Sequence, residues 1–259
     1  MSLDELRARL DRAALLLDFD GTLAPIVARP EDARPLERAA EVLSALVPRA
    51  LAVAVITGRP AAMVRELLPV EGLGIIGLYG FEDAAAVPHE VLDEVARIAA
   101  TEPGTQVEPK GASVAVHFRG APDPDAAGER LRPALEEVAG ARGFRVLAGK
   151  RVWELAPAGP GGKGEVVEAL LDELRPDAAL YAGDDLADLE AFAALDRAAR
   201  RGRAAEPGRA AWPGRAAEPS GFVVVKVAVL GAEAPVALRE AADVLVESPA
   251  GVLELLRAL

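Results

Sequence analysis

LLLDFDGTLAPI, residues 15–26, ends an apolar run in two aspartates, Asp18 and Asp20, with Gly21 and Thr22 directly behind them. Apolar residues that follow one another without alternation suit a strand buried on both faces, as in a parallel sheet covered by helices. Two carboxylates at the end of such a strand repel, and each resists ionising beside the other. The arrangement therefore asks for compensation, most simply a bound cation or a shared proton.

The surrounding sequence keeps the same rhythm. LAVAVITG and GLGIIGLYG read as further strands, and PLERAAEVLSALVPR and PAAMVRELLP as helices between them. GGKGEVVEALLDELR, DAALYAGDD, LADLEAFAAL, FVVVKVAVLG, DVLVE and PAGVLELLRAL resume the alternation later in the chain. Strands alternating with helices imply an α/β fold, a Rossmann-like parallel sheet between helical layers. Between the two halves the pattern changes to helix, hairpin, helix, hairpin, with one turn expected around Ala148–Lys150. That block is expected to be an inserted, smaller α+β domain over residues 82–157, within a core of residues 1–81 and 158–259. The hexamers GRAAEP, GRAAWP and GRAAEP run in tandem over residues 202–219 and cannot bury a core, so a flexible loop is expected there.

Half of the 259 residues are hydrophobic but only 4% are aromatic, so Ala, Val and Leu must build the core. The net charge of −12 disfavours nucleic acid and anionic membranes as partners. No apolar run is long enough to span a bilayer. Cysteine is absent, which excludes disulfides and thiolate metal sites. A cytoplasmic monomer acting on a small molecule is expected. An anionic substrate would need local positive charge.

Four stretches fall where an α/β sheet forms its site, at the carboxyl ends of strands or the start of a helix. They are DFDGT, ITGR, GGKGE and GDDLAD, and they offer Asp18, Asp20, Asp184, Asp185 and Asp188, the Thr57 hydroxyl and the Lys163 ammonium. Hard oxygen ligands without His or Cys suit Mg²⁺. A carboxylate can serve as a covalent nucleophile, and a second one can move protons. Lys163, Thr57 and backbone N–H groups near Gly58 can hold phosphate oxygens. GPGGKGE is not a P-loop, since Pro157 stands where the first Gly should be and Gly164 replaces Ser/Thr. His89 and His117 are too few and too far apart for a zinc site. All four stretches in order point to phosphoryl transfer.

DFDGTL, ITGR, the Lys of GGKGE and GDDLADLE resemble the four motifs of the haloacid dehalogenase superfamily phosphatases. The resemblance implies Asp18 as nucleophile and Asp20 as general acid/base, with Thr57, Gly58 and Lys163 on the phosphate. It implies Mg²⁺ on Asp18, Asp184 and the backbone carbonyl of Asp20, supported by Asp185 and Asp188, and a mobile cap formed by the inserted block. DFDGTLAPIVARPEDARP, GLYGFE, VEPKGASVAVHFRGAP, VWELAP and GDDLADLEAF are similar to the trehalose-6-phosphate phosphatase family more narrowly. Tyr79, Ala156 and Ala187 depart from that family's usual residues. Glu108 and Lys110, two apart in an extended stretch, share one strand face, and Glu154 lies on a later cap strand. The resemblance implies that all three bind the sugar.

Overall fold

The computed structural model describes residues 3–27, 29, 32–82, 84–159, 161–204, 221–231 and 234–259. The opening stretch forms β1 (Ala13–Leu17), every residue of which is buried. It lies inside a parallel sheet with β2 (Ala52–Ile56), β3 (Gly74–Ile76), β8 (Ala178–Gly183), β9 (Val223–Val229) and β10 (Val244–Val246). The strand order is β10–β9–β8–β1–β2–β3. Chain progression reverses between β1 and β8, and ligands of open α/β sheets bind in the crevice outside the strand ends at such a point.

Apolar side chains fill both faces of this sheet, which explains the unbroken hydrophobic runs. Leu15, Leu17, Val55 and Leu180 pack with α2 (Ala39–Leu46) and α9 (Pro249–Arg257). Leu16, Ile56 and Tyr181 pack on the opposite face with α6 (Lys163–Leu174) and α7 (Leu186–Ala204). Two short helices, α1 (Leu3–Arg7) and α8 (Val236–Ala241), bury one leucine each, Leu6 and Leu238, a signal too brief to be read as periodicity. Another short helix, α3 (Ala61–Leu67), starts behind Pro60 as expected.

The intervening block holds α4 (His89–Ala99), α5 (Pro124–Arg142) and an antiparallel sheet of β4 (Gln106–Pro109), β5 (Val114–His117), β6 (Phe144–Gly149) and β7 (Val152–Pro157) in the order β4–β5–β7–β6. Val114, Val116 and Leu155 cover one face and pack on Val91, Leu131 and Leu135 of the helices. Glu108, Ala115, Glu154 and Leu147 lie in one register row on the other face.

Two local expectations shift. The β6–β7 turn falls on Lys150 and Arg151, with Gly149 paired to Val152 and Arg151 at φ 59°. GLGIIGLYG is a strand only to Ile76, because Leu78, Tyr79 and Gly80 all take positive φ (46°, 52° and 86°) and turn the chain. The hexamer repeats lie outside the described residues except for the last backbone turn of α7, which reaches Ala204. Among the described residues no helix is long and apolar enough to cross a membrane.

Candidate active site

Asp18 follows β1 and Asp184 follows β8, so the two neighbouring strands at the reversal deliver their carboxylates together. The Asp18 N–H extends the ladder by donating to Ala182 O at 2.9 Å. Asp18, Asp184 and Asp188 are buried and bring one carboxylate oxygen each within 4.8 Å of one another. Gly21 permits this approach: at φ 80° its missing side chain leaves room for the Asp184 carboxylate, which any Cβ would overlap.

Asp188, on the first turn of α7, is fully buried and fully used. Its Oδ1 accepts from Lys163 Nζ at 2.6 Å and Tyr181 OH at 2.7 Å, and its Oδ2 from the N–H groups of Asp184 (2.9 Å) and Asp185 (2.8 Å). It therefore fixes the 184–185 turn and the lysine that faces Asp18. Lys163 opens α6, and its Nζ stands 2.8 Å from Asp18 Oδ1. Burial opposes its charge, but Asp18 and Asp188 more than offset that, and its pKa is raised well above the usual value. Burial also pushes Asp18 well up; Lys163 works against the shift and the Asp188 and Asp184 charges reinforce it. Asp184 is raised to about 7 by burial, partly countered by Lys150 and reinforced by Asp188. Asp185 is raised too, first by burial and then by Asp188.

The remaining core positions divide by role. Thr57 is buried at the end of β2, and its Oγ1 accepts from the Arg59 N–H at 3.1 Å, leaving its own O–H to donate elsewhere. Asp20 stands outside the acidic triad. Both its oxygens are held by Arg59, whose Nε and Nη2 donate at 2.6 and 2.7 Å, while the guanidinium covers the Phe19 ring at 5.4 Å. Gly58 lies directly beneath the Tyr79 phenol.

The three cap residues are in place but unequal. Glu154 is buried and accepts from Ser113 Oγ at 2.5 Å and Lys110 Nζ at 3.1 Å. Glu108 is about half exposed and pairs with His117 at 2.8 Å. Glu154 and Leu147 of the same register row line a cleft with Tyr79 and Lys163, so this row faces the core. The cap also reaches the acidic cluster directly: Lys150 pairs with Asp184, and its N–H donates to Asp185 at 2.9 Å. Ala156 pairs across the ladder with Arg145, so a cation stands beside one of the three departing positions.

Arg59, Lys150 and Tyr181 were not singled out from the sequence. Arg59 was visible as the last letter of ITGR. Tyr181 looks like any strand residue, and Lys150 sits in a hairpin turn remote in sequence; only tertiary structure brings them in.

The donor set fits a hard divalent cation. Asp18 and Asp184 crowd together with Asp188 behind them, with no cysteine in the chain and no histidine in the group. Carboxylates whose proton affinity is raised by burial and mutual repulsion would be relieved by a cation. The Thr22 hydroxyl, buried in the adjoining turn without a partner among the described residues, is a further oxygen unused by the protein.

The family model described as Trehalose-phosphatase matches residues 16–212. Over 202 residues the chain is 35% identical to a trehalose-phosphate phosphatase of Mycobacterium avium, covering 70% of this chain and 51% of that one. It is 38% identical over 206 residues to an uncharacterized glycosyl hydrolase of Mycobacterium tuberculosis, covering 71% of this chain and 15% of that one. The chain thus spans about half the length of the curated phosphatases it matches, and far less of the glycosyl hydrolase. Among solved structures it superposes on the C-terminal domain of C. albicans trehalose-6-phosphate phosphatase with a TM-score of 0.80 at 26% identity, covering 98% of this chain and 93% of that one. A haloacid dehalogenase-like hydrolase from Bacteroides thetaiotaomicron shares the fold at a TM-score of 0.59 and 16% identity, over 95% and 98% of the two chains.

Proposed function

The chain belongs to the trehalose-phosphatase family, whose model spans residues 16–212, and on that footing we propose that it hydrolyses trehalose 6-phosphate to trehalose and phosphate with the help of Mg²⁺. The observation that carries the reading is the buried Asp18 carboxylate, 2.8 Å from Lys163 Nζ and beside Asp184 at the strand reversal. The Asp18 carboxylate attacks phosphorus, and the bond to the sugar oxygen breaks. Asp20 delivers a proton to that oxygen. Water then attacks the phosphorus of the aspartyl phosphate, Asp20 takes up its proton, and inorganic phosphate leaves with Asp18 restored. Lys163, the Thr57 hydroxyl and the backbone around Gly58 hold the phosphate oxygens. Arg59 holds Asp20 in place between these proton transfers.

Mg²⁺ would be held by Asp18, Asp184 and the Asp20 carbonyl, backed by Asp185 and Asp188, and when bound it neutralises phosphate charge. Residues 82–157 act as a cap over a core of residues 1–81 and 158–259, and Glu108, Lys110 and Glu154 bind sugar hydroxyls when it closes. The lack of cysteine supports a cytoplasmic location, and a monomer is part of the same reading.

Phosphate release from trehalose 6-phosphate, sucrose 6-phosphate, mannosyl-3-phosphoglycerate and an aryl phosphate tests this. The largest kcat/KM is expected for trehalose 6-phosphate. Preference for another sugar phosphate would move the substrate, and no release from any of them would refute the enzyme reading.

A further inference from the structure

Tyr79 is the residue that the mechanism above leaves unused, although the site is built around it. Its backbone is left-handed at φ 52°, directly after Leu78 at φ 46°, and non-glycine residues rarely adopt this region. The strained position is held from both sides. The Tyr79 N–H donates to Thr57 O at 3.0 Å, and the Tyr79 carbonyl accepts from the Gly162 N–H at 3.0 Å. One residue thereby joins the Thr57–Gly58 segment to the segment that presents Lys163. Its ring then lies on Gly58, where a Cβ would come within 2.5 Å of the phenol oxygen.

The hydroxyl itself makes no hydrogen bond to any described residue, although it stands among charges. Burial raises its pKa well above the usual value, the Glu154 charge adds to this, and Lys163 opposes it. The phenol therefore stays a donor. It borders a narrow cleft between core and cap, lined also by Lys163, Glu154, Leu147 and Glu190. Lys163 marks the phosphate end of this cleft and Glu154 the cap end. Tyr79 lines the cleft together with both, so an ester whose phosphate meets Lys163 and whose sugar meets the cap shares the cleft with the phenol.

We infer that Tyr79 is a specificity-determining residue, donating a hydrogen bond from its hydroxyl to an oxygen of the sugar ring that carries the phosphate. This rests on the proposed sugar-phosphatase reading. It separates the phosphate ester of a polyol ring from that of a flat aromatic alcohol, which offers no acceptor at that point.

Tyr79→Phe tests it, since the ring, its packing on the cluster of Leu78, Phe81, Ala112 and Ala156, and both backbone hydrogen bonds remain. The ratio of kcat/KM for trehalose 6-phosphate to that for an aryl phosphate should fall about tenfold, as expected when one hydrogen-bonding group of a polar site is lost. In an Asp18→Asn background, calorimetry should show the affinity for trehalose 6-phosphate reduced by a similar factor when Tyr79→Phe is added. An unchanged ratio with unchanged affinity would overturn the assignment, as would equal losses on both substrates. If the wild-type protein prefers another sugar phosphate, the trehalose reading fails alone, and the same ratio and affinity measured with that ester decide the role of Tyr79.

Discussion

Asp188, on the core side of the cleft, is fully buried and accepts from Lys163, Tyr181 and the N–H groups of Asp184 and Asp185. Glu108, on the cap side, is about half exposed and has one side-chain partner, His117. One carboxylate belongs to the core and the other to the antiparallel block. Around Asp188 every lone pair is committed, so geometry is fixed before any ligand arrives, as catalysis by preorganised charge requires. Glu108 and its partner His117 are both partly exposed, so a sugar can exchange with that pair at little cost. On the proposed reading the core side serves chemistry and the cap side recognition, and substitutions on the two sides should fail differently.

The sharpest break of that contrast is Asp18→Asn. The amide keeps the shape and removes the attacking charge, so turnover of both trehalose 6-phosphate and an aryl phosphate should fall by about 10⁴-fold or more. The melting temperature should hold, because Lys163 keeps Asp188 as its partner and the amide removes a charge that burial opposes. Measurable turnover near the wild-type rate in the folded variant would remove Asp18 from the nucleophile role.

The second prediction concerns Asp184, whose pKa rises from 3.8 to about 7, chiefly through burial. A carboxyl with a raised folded-state pKa contributes stability that is complete below its unfolded value and lost as pH rises through the folded one. Without metal, this group should therefore stabilise the fold less at pH 8 than at pH 5. A cation must displace that proton below pH 7, so Mg²⁺ affinity should weaken up to about tenfold per pH unit there. Calorimetric titration with Mg²⁺ and thermal melts at pH 6, 7 and 8 would show it. Affinity that ignores pH, or that survives Asp184→Asn unchanged, would count against Asp184 as the ligand.

How much of this contrast was legible in the sequence follows from the range of each interaction. The core side could be read because its carboxylates stand at strand ends, and strands buried on both faces leave unbroken apolar runs such as AALLL and AVAVI. The strand β3 was overread because the left-handed turn at Leu78 and Tyr79 carries no local signal at two non-glycine residues. Arg59 on Asp20 and Lys150 on Asp184 join residues 39 and 34 positions apart, and no periodicity reports such pairs. On the cap, the two-residue spacing of Glu108 and Lys110 correctly predicted a shared face. It could not predict that Ser113 would meet Glu154, which turns that glutamate into a buried acceptor.

That last difference sets the smallest and most discriminating effect. Glu154 is buried, and Lys110 is mostly buried against it. Glu154→Ala leaves that ammonium without its carboxylate, which typically costs about 3–5 kcal/mol at a buried pair, so a fall in activity would be mixed with a fall in stability. Glu108 is a cleaner probe. Its pKa is lowered mainly by the hydrogen bond to His117, but its exposure leaves that pair worth about 0–1 kcal/mol. Glu108→Ala should therefore leave the melting temperature nearly unchanged. If the row facing the core binds sugar, the same substitution should lower kcat/KM for trehalose 6-phosphate about tenfold, the loss expected for a hydrogen bond to a charged group, and barely affect an aryl phosphate. A flat response on both substrates would reduce Glu108 to a surface ion pair and confine recognition on the cap to the buried Glu154.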